Sequence, residues 1–289
     1  MMLDARLLHY FLVVAREQNM TRAAAELHIA QPTLSAQIAQ LEKQLGLKLF
    51  TRTNKSTNLT EDGVMFRARA QELMELMNKV ENEFSIGDSD ISGDVYFGAA
   101  ETHIMGYISE VFRSIQKEYP NVRFHIYSGD AQAILERLDK GLLDIGLLLG
   151  TDHQDKYDYT PLGRYDTWGL LVPDDCEIAQ RNSITEEELP ELPLLVSNQY
   201  MTSDRRFFTP DSEKQRIVGS YNLITNATYM VEQGLGYALC LADLVNTEGR
   251  SLRFIPIVTN VKTKSYIVTK KYAYFSKAAK LLLKKLNVS

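Results

Sequence analysis

The chain has 289 residues, of which 45% are hydrophobic and 24% are charged, and its formal net charge at pH 7 is −5. This is the composition of a globular protein of two or three domains, and the acidic balance argues against a protein that coats nucleic acid without sequence preference. Cys176 and Cys240 are too few and too far apart for a disulfide framework or a zinc site, so we expect reduced thiols in a cytoplasmic protein.

The charge is unevenly distributed along the chain. Residues 1–60 contain seven Lys and Arg against four Asp and Glu, a net charge of +3, whereas the remaining residues carry a net charge of −8. A mildly basic segment attached to an acidic body suits a segment that meets a polyanion.

The N-terminal segment predicts two short helices before residue 28. Residues 4 to about 17 carry apolar side chains at helical spacing, and Asp4 is placed to act as the N-cap. Asn19 or Thr21 caps a second helix, "TRAAAEL", whose three alanines allow another helix to approach closely. A break at residues 28–30 separates this helix from the next one.

The stretch "HIAQPTLSAQIAQLE" (residues 28–42) leads into a third predicted helix, which ends at Gly46. Two helices joined by a short break, with small residues at their contact, are typical of a helix-turn-helix. Residues 47–60, "LKLFTRTNKSTNLT", have apolar ends and a polar, basic tip, which is what a two-stranded wing requires. The apolar stripe of the third helix consists of Leu34, Ile38, Leu41 and Leu45.

A long helix is predicted from Thr60, its N-cap, to about Ser85, because this segment contains no proline and no turn cluster. A heptad stripe runs along it, with successive spacings of four and three residues. Such a helix either lies along its own domain or forms a dimer with a second copy, and the narrow stripe favours dimerisation. The stripe consists of Phe66, Ala70, Leu73, Met77, Val80 and Phe84.

The polar, glycine-containing stretch of residues 87–94, "GDSDISGD", predicts a domain boundary. Beyond it, predicted strands alternate with predicted helices, which indicates βαβ units around parallel sheets. The pattern recurs after Gly163, so we expect two α/β lobes with a ligand crevice between them. The expected domains are 1–60, the long helix 61–87, one lobe of residues 91–162 plus 270–289, and a second lobe of residues 163–269.

The sequence contains no motif that indicates catalysis, so an enzyme is not expected. It lacks a phosphate-binding loop, a GxSxG turn and an HExxH pair, and its five histidines have no metal-ligand spacing. No apolar run approaches the roughly 18 residues of a membrane-spanning helix. The apolar run Leu7–Ala15 resembles a signal-peptide core, which leaves an exported solute-binding protein, or an α/β enzyme with a misread N-terminus, as the alternative.

Residues 8–63 resemble the winged helix-turn-helix of the LysR-type transcriptional regulators. So many matching residues at fixed spacing make the resemblance specific, and weaker matches such as "ISGDVYFGAA", "YPNVRFHI" and "MVEQGLGYALCL" extend it over almost the whole chain. The markers are Phe11, Ala23 and Ala24, Leu27, Gln31 and Pro32, Leu34 and Ser35, Gln37 and Ile38, Leu41 and Glu42, Leu45 and Gly46, Leu49 and Phe50, Arg52, Leu59, Thr60 and Gly63.

The resemblance implies a sequence-specific regulator that binds double-stranded promoter DNA through the third helix. Pro32 suits the first helical turn, whose free amides are able to face a phosphate, and the polar neighbours suit base edges. Two departures from the family pattern stand out: Ala30 replaces a capping serine, and Ala36 stands where many members carry arginine. The expected DNA contacts are Gln31, Pro32, Thr33, Ser35 and Gln37 on the helix and Arg52 in the wing.

For the C-terminal half, the resemblance implies a periplasmic-binding-protein-like α/β domain that senses a small-molecule effector between its lobes. It also implies a homodimer, typically a homotetramer, with RNA polymerase as a further partner, and neither a cofactor nor a metal. Relatives often carry a hydroxyl at the position of Ala100, which puts an anionic effector held in that way in doubt. The expected effector contacts are Glu101, Thr102, His103, Ser128, Gly129, Ser197, Asn198 and Thr225.

Overall fold

The computed structural model describes residues 3–52, 56–84, 91–150, 154–202 and 215–288. The chain divides into two compact units, Met1–Ser85 and Ile86–Ser289. Across these ranges, no helix is both long and apolar enough to cross a membrane.

The N-terminal unit contains three helices, a two-stranded wing and one long helix. Asp4 caps the first helix by accepting from the amide of Arg6 at 2.8 Å, and Asn19 caps the second by accepting from the amides of Thr21 and Arg22. Asp4 is the predicted cap, and of the two candidates Asn19 and Thr21 it is Asn19 that caps the second helix. The elements are α1 (Ala5–Glu17), α2 (Met20–Glu26), α3 (Gln31–Leu45), β1 (Phe50–Arg52), β2 (Thr57–Leu59) and α4 (Glu61–Phe84).

The core of this unit is centred on Phe11 of α1, which is fully buried. Its ring centroid lies 5.2 Å from that of Phe50 in β1 and 4.9 Å from that of Phe66 in α4. Leu34 and Ile38 of α3 complete the core and are also fully buried. Aromatic pairs of this geometry add to the free energy of burial, so α1 joins the wing, α3 and the start of α4 into one body.

Lobe I of the C-terminal unit is a five-stranded sheet with helices packed on it. The strand order is β4-β3-β5-β13-β6, in which β3 pairs in parallel with β4 and β5, and β13 pairs antiparallel with β5 and β6. Its elements are β3 (Gly93–Ala99), α5 (Met105–Glu118), β4 (Val122–Ser128), α6 (Ala131–Asp139), β5 (Ile145–Leu149), β6 (Tyr157–Asp166), β13 (Thr263–Lys270) and α9 (Lys277–Lys285).

Lobe II is a six-stranded mixed sheet of order β10-β9-β11-β7-β12-β8. Two short 3₁₀ helices, Glu177–Gln180 and Glu186–Glu191, precede and follow β8. Its other elements are β7 (Trp168–Pro173), β8 (Ile184–Thr185), β9 (Leu194–Ser197), α7 (Asn198–Thr202), β10 (Ile217–Tyr221), α8 (Ile224–Glu232), β11 (Tyr237–Leu241) and β12 (Leu252–Val258).

The two lobes are joined where β6 leads into β7 and where β12 leads into β13. Asp166 at the end of β6 pairs with Thr263 at the start of β13. Beside them, the indole nitrogen of Trp168 donates to the Thr263 hydroxyl at 2.7 Å. The two crossing segments therefore form one hydrogen-bonded hinge, and the carboxyl ends of parallel strands from both lobes face the same crevice.

In the C-terminal unit, the chain passes from one sheet to the other at residues that differ from the lobe boundaries expected from the sequence. The expected boundaries after residues 162 and 269 lie inside β6 and β13, which belong to the lobe I sheet. Gly163, which marks a break in the sequence pattern, lies within β6 at φ +67°. A glycine at positive φ bends a strand without ending it, so a glycine in the sequence does not by itself mark the end of a strand.

The predicted fold class is confirmed: the chain combines an N-terminal winged helix-turn-helix and a long helix with a C-terminal α/β domain of two lobes. Thr60 and Gly63 fix the junction between the wing and α4. The Thr60 hydroxyl donates to the carbonyl of Lys48 at 2.6 Å and accepts from the amide of Gly63 at 2.9 Å. This closeness leaves no room for a side chain at Gly63, because a Cβ atom there would lie 2.1 Å from the Leu49 carbonyl oxygen.

We predict that Gly63→Ala destabilises the N-terminal unit by about 1–3 kcal/mol, because backbone atoms must move to accommodate the methyl group. Urea unfolding followed by circular dichroism measures this change. Gly106→Ala is the matched control, since a Cβ atom there meets nothing within 4 Å and the substitution is expected to be neutral or slightly stabilising. Equal stability of Gly63→Ala and the wild type would contradict the packing described for this junction.

Candidate functional sites

The N-terminal half of α3 presents a polar surface on top of a buried apolar face. Gln31, Pro32 and Thr33 are exposed, and Ser35 and Gln37 are half-buried. Leu34, Ile38 and Leu41 are fully buried, so the first turn of α3 is accessible, while Ser35 and Gln37 lie at the edges of the buried face. The structure thus brings the five expected helix contacts together at one accessible helix start.

The two expected departures from the family pattern lie at this same surface. Ala30 occupies the N-cap of α3 and makes no side-chain cap hydrogen bond, and Ala36 is exposed. The first amides of α3 therefore lack a side-chain acceptor from the cap position. A phosphate oxygen is a suitable acceptor for such amides, and it also interacts favourably with the helix dipole.

A buried carboxylate, Glu42, fixes the wing to α3. The sequence pattern alone did not indicate this role. Its Oε1 atom accepts from the amides of Leu49 and Phe50 at 2.9 and 3.2 Å, and its Oε2 atom accepts from the Lys48 ammonium group at 3.0 Å. Burial raises the pKa of Glu42, but the hydrogen bonds from Lys48, Phe50 and Leu49 outweigh it and hold the pKa below its ordinary value. Glu42 is therefore a charged anchor that sets where β1 begins.

The wing itself is a short antiparallel ladder in which Phe50, Thr51 and Arg52 pair with Leu59, Asn58 and Thr57. The amide of Thr57 also donates to the carbonyl of Gln18 at 2.9 Å, which ties the wing to the end of α1. The backbone of Arg52 belongs to β1. The side chain of this expected DNA contact, and the tip at residues 53–55, lie outside the described residues.

The heptad stripe of α4 is divided between two environments. Phe66 and Ala70 pack into the core of the N-terminal unit, with Ala70 fully buried. Leu73, Met77 and Val80 are 41%, 37% and 46% exposed, and the side chain of Phe84 lies outside the described residues. The second half of the stripe is thus an accessible row of large apolar side chains.

A cavity of about 100 Å³ lies between lobes I and II. Four of the eight expected effector contacts, Glu101, Gly129, Ser197 and Asn198, line it. The remaining lining residues are Ala100, Asp130, Leu149, Gly150, Trp168, Gln199, Tyr200, Tyr221, Asn222, Leu223, Leu239, Cys240, Leu241, Leu244 and Thr263. The other four expected contacts are not among the lining residues: Ser128 and Thr225 are exposed, and Thr102 and His103 contact a different group.

Thr102 and His103 both contact Asp166, the buried carboxylate at the hinge. The Thr102 hydroxyl donates to it at 2.8 Å, and Nδ1 of His103 lies 2.9 Å from the same carboxylate oxygen. Burial raises the pKa of Asp166, and the hydrogen bonds from Thr102 and His103 offset this only in part. These two side chains therefore stabilise the crossing of β6 into lobe II.

Glu101 links the two lobes across the cavity. Its Oε2 atom, on lobe I, accepts from the amide of Ile224 at the start of α8 in lobe II at 2.8 Å. Burial raises the pKa of Glu101 above its ordinary value, and the Ile224 amide opposes this shift. The cavity thus contains a partly desolvated carboxylate with one backbone donor from the opposite lobe.

Sequence reasoning missed several residues of the cavity. Asp130 was the easiest of these residues to predict, because it directly follows the expected contact Gly129 just after β4. Trp168 and Tyr221 carry no local signal of a site, because their place at the cavity follows from the sheet order. The part of the chain that the structure describes contains no group of three or more acidic, His or Cys side chains arranged to hold a metal ion.

Comparison with known protein families gives two matches. Residues 5–64 match the model of the bacterial regulatory helix-turn-helix protein of the lysR family, and residues 88–287 match the model of the LysR substrate binding domain. The second match alone covers more than half of the chain.

Individual proteins are similar over most of their length. The uncharacterized HTH-type transcriptional regulator YybE of Bacillus subtilis (strain 168) is 33% identical over 241 residues, which are 82% of this chain and 82% of that protein. The Hca operon transcriptional activator HcaR of Escherichia coli (strain K12) is 26% identical over 269 residues, covering 90% of this chain and 88% of that protein. Full-length CbnR, solved with its target DNA, has a TM-score of 0.79 at 19% identity and 99% coverage of both chains, which shows a common fold.

We predict that Glu42→Gln destabilises the N-terminal unit by about 1–2 kcal/mol near pH 7, because the charge-assisted hydrogen bonds to Lys48 and the wing amides weaken. Since the pKa of Glu42 is lowered on folding, the stabilisation is present above the ordinary glutamate pKa of about 4.3 and is lost as the pH falls through the folded-state value. Urea unfolding at pH 7 and at lower pH measures both effects.

Glu81→Gln is the matched control, because Glu81 is an exposed glutamate of the same unit and its replacement is expected to change stability by less than about 0.5 kcal/mol. A difference between Glu42→Gln and the wild type that stays constant as the pH falls would contradict a charged anchor at this position.

Proposed function

The chain belongs to the LysR family of DNA-binding transcriptional regulators, and we propose that it contacts its operator through the start of α3, dimerises through α4 and senses a small molecule in the cavity between its lobes. Proteins of this family are transcription regulators and not enzymes. Since its target is DNA, we place the protein in the cytoplasm.

The exposed polar start of α3 is the observation that carries the proposed mode of DNA binding. Gln31, Thr33 and Ser35 offer neutral donors and acceptors of the kind that reads base edges, above a buried face that keeps the helix in place. The uncapped amides after Ala30 suit a phosphate, which fixes the register of the helix on the duplex. Arg52 in the wing supplies a cation for a second phosphate.

The exposed part of the α4 stripe supports dimerisation. Leu73, Met77 and Val80 recur at spacings of four and three residues and remain accessible although the first part of the same stripe is buried. A second copy packing on this row would bury it in a coiled-coil seam and present two recognition helices to two half-sites. Assembly of two dimers into a tetramer, and contact with RNA polymerase, extend this proposal by analogy with the family.

We propose the cavity as the effector site because residues of both lobes line it and two of them belong to the hinge. Trp168 and Thr263 line the cavity and also hydrogen-bond to each other across the two crossing segments. A ligand that contacts both lobes changes their preferred relative placement only if it binds one arrangement more tightly than another. Such a ligand would couple the cavity to DNA binding.

We predict that Ser35→Ala combined with Arg52→Ala weakens operator binding at least about tenfold, because one helix contact and one phosphate contact are lost. The salt dependence should also become shallower by about one unit of slope. Gel-shift titrations over a series of salt concentrations, with an operator selected by the wild-type protein from random-sequence DNA, measure both quantities.

Arg113→Ala combined with Ser114→Ala is the matched control, because it removes the same two side-chain types from exposed positions on α5. It should leave the affinity and the salt slope unchanged. Equal affinity of the wild type and the Ser35/Arg52 variant would refute the proposed contacts.

We predict that Met77→Asp converts the dimer to a monomer at micromolar concentration, because a carboxylate would be buried in the apolar seam. Analytical ultracentrifugation measures the association state. Asn78→Asp adds the same charge at the next exposed position of α4, about 100° around the helix, and should leave the dimer intact. Identical sedimentation of the wild type and both variants would count against dimerisation through this row.

A further inference from the structure

We infer that the ligand of the cavity between the lobes is a small organic cation, with an ammonium group held by Glu101 and Asp130 and an apolar part held by aromatic rings. This inference rests on the proposed function of the cavity as the effector site. Three observations support it: the acidic side chains in the described lining, the protein carboxylates already bound at the N-termini of α6 and α8, and the aromatic side chains beside them.

Among the residues that the structure describes, the charged side chains that line the cavity are acidic. Glu101 and Asp130 are the two carboxylates, and none of the described lining residues is Lys, Arg or His. Burial raises the pKa of Cys240 to about 12, so this thiol contributes no charge. A carboxylate in a partly desolvated site is stabilised by a cation, and the donor to Glu101 among the described residues is the neutral amide of Ile224 in lobe II.

Three helices begin at the cavity. The two longer ones, α6 and α8, each have a protein carboxylate at the N-terminus, and in the five-residue α7 the Ser197 hydroxyl accepts from the amide of Tyr200 at 3.2 Å. Glu101 accepts from the amide of Ile224 at the start of α8 at 2.8 Å, and Asp130 accepts from the amide of Ala133 in the first turn of α6 at 2.8 Å. The free amides of a helix N-terminus favour a bound carboxylate or phosphate. At α6 and α8 an anionic ligand would have to displace a carboxylate or lie beside one, and both are unfavourable.

Three aromatic side chains in the lining have their polar atoms engaged within the protein. Trp168 donates to Thr263 at 2.7 Å, and Tyr221 donates to the carbonyl of Leu239 at 2.7 Å. The hydroxyl of Tyr200 lies 2.9 Å from the side-chain nitrogen of Gln215, which donates to it. These residues therefore offer a ligand their rings, and rings beside carboxylates favour an organic ammonium group over a neutral group of the same shape.

The size of the cavity limits the enclosed part of the ligand. A cavity of about 150 Å³ accommodates benzene, so the cavity of about 100 Å³ suits a compact headgroup of about five non-hydrogen atoms. The apolar lining residues Leu149, Leu223, Leu239, Leu241 and Leu244 suit the hydrocarbon part of such a headgroup. A trimethylammonium headgroup has this size and character.

Three probes of one shape and different charge test the inference by isothermal titration calorimetry on the full-length protein. Choline carries a positive charge, 3,3-dimethylbutan-1-ol is its neutral isostere and 3,3-dimethylbutanoate is the corresponding anion. We expect choline to bind at least about tenfold more tightly than the alcohol, because of the carboxylates and rings, and the anion to bind most weakly.

Glu101→Gln and Asp130→Asn test the role of the charges, because each variant keeps an oxygen that accepts the same backbone hydrogen bond. Each should weaken choline binding about tenfold and leave binding of the alcohol unchanged. Glu136→Gln is the matched control, since it removes a carboxylate from an exposed position of α6 that does not line the cavity. It should bind choline as the wild type does.

The outcomes separate this inference from the proposed function. Tighter binding of the alcohol or of the anion than of choline would overturn the ligand class and leave the cavity as an effector site. Failure of choline to bind, or binding of choline that is unchanged in both charge variants, would also overturn the inference. Operator binding is measured without any probe, so a failure of the proposed DNA-binding function would be seen independently.

Discussion

The carboxylate of Glu42, 5% exposed in the N-terminal unit, accepts hydrogen bonds from the first residues of the wing and from Lys48. A carboxylate removed from water must accept hydrogen bonds from donors inside the protein. Without them, the free-energy cost of its burial would exceed the free energy of unfolding of a small domain. Because α3 supplies the acceptor and the wing supplies the donors, neither element is correctly placed without the other. In the proposed DNA complex, α3 and the wing would therefore act as one rigid surface.

The same constraint distinguishes two carboxylates of the C-terminal unit, the buried Asp166 and the half-buried Glu101. Asp166 at the hinge has hydrogen bonds from the side chains of Thr102 and His103, and these bonds hold β6 where it passes into lobe II. Glu101 faces the cavity with a single backbone amide of Ile224 as its described donor. A carboxylate with side-chain partners on several sides is part of the framework, whereas one that faces open space with fewer partners is suited to a ligand.

The sequence predicted those features that depend on neighbours along the chain. Periodicity and caps located α1 to α4, and the uncapped start of α3 followed directly from Ala30. It did not predict contacts set by sheet order, such as the one between Thr102 and Asp166, which are 64 residues apart. Local patterns contain no information on which strands become neighbours, so four of the expected effector contacts are not among the lining residues, whereas Asp130 and Trp168 are.

The hinge and the cavity share residues, and this determines what a bound cation would do. Glu101 of lobe I already holds the Ile224 amide of lobe II on Oε2, and a carboxylate accepts at both oxygens. A cation is therefore able to join this pair without breaking it, while the ring of Tyr221 contacts it from lobe II. A ligand that contacts both lobes at once would favour, by its differential affinity, the arrangements in which residues of both lobes reach it. The hydrogen bond between Trp168 and Thr263 would then carry that preference to the crossing segments.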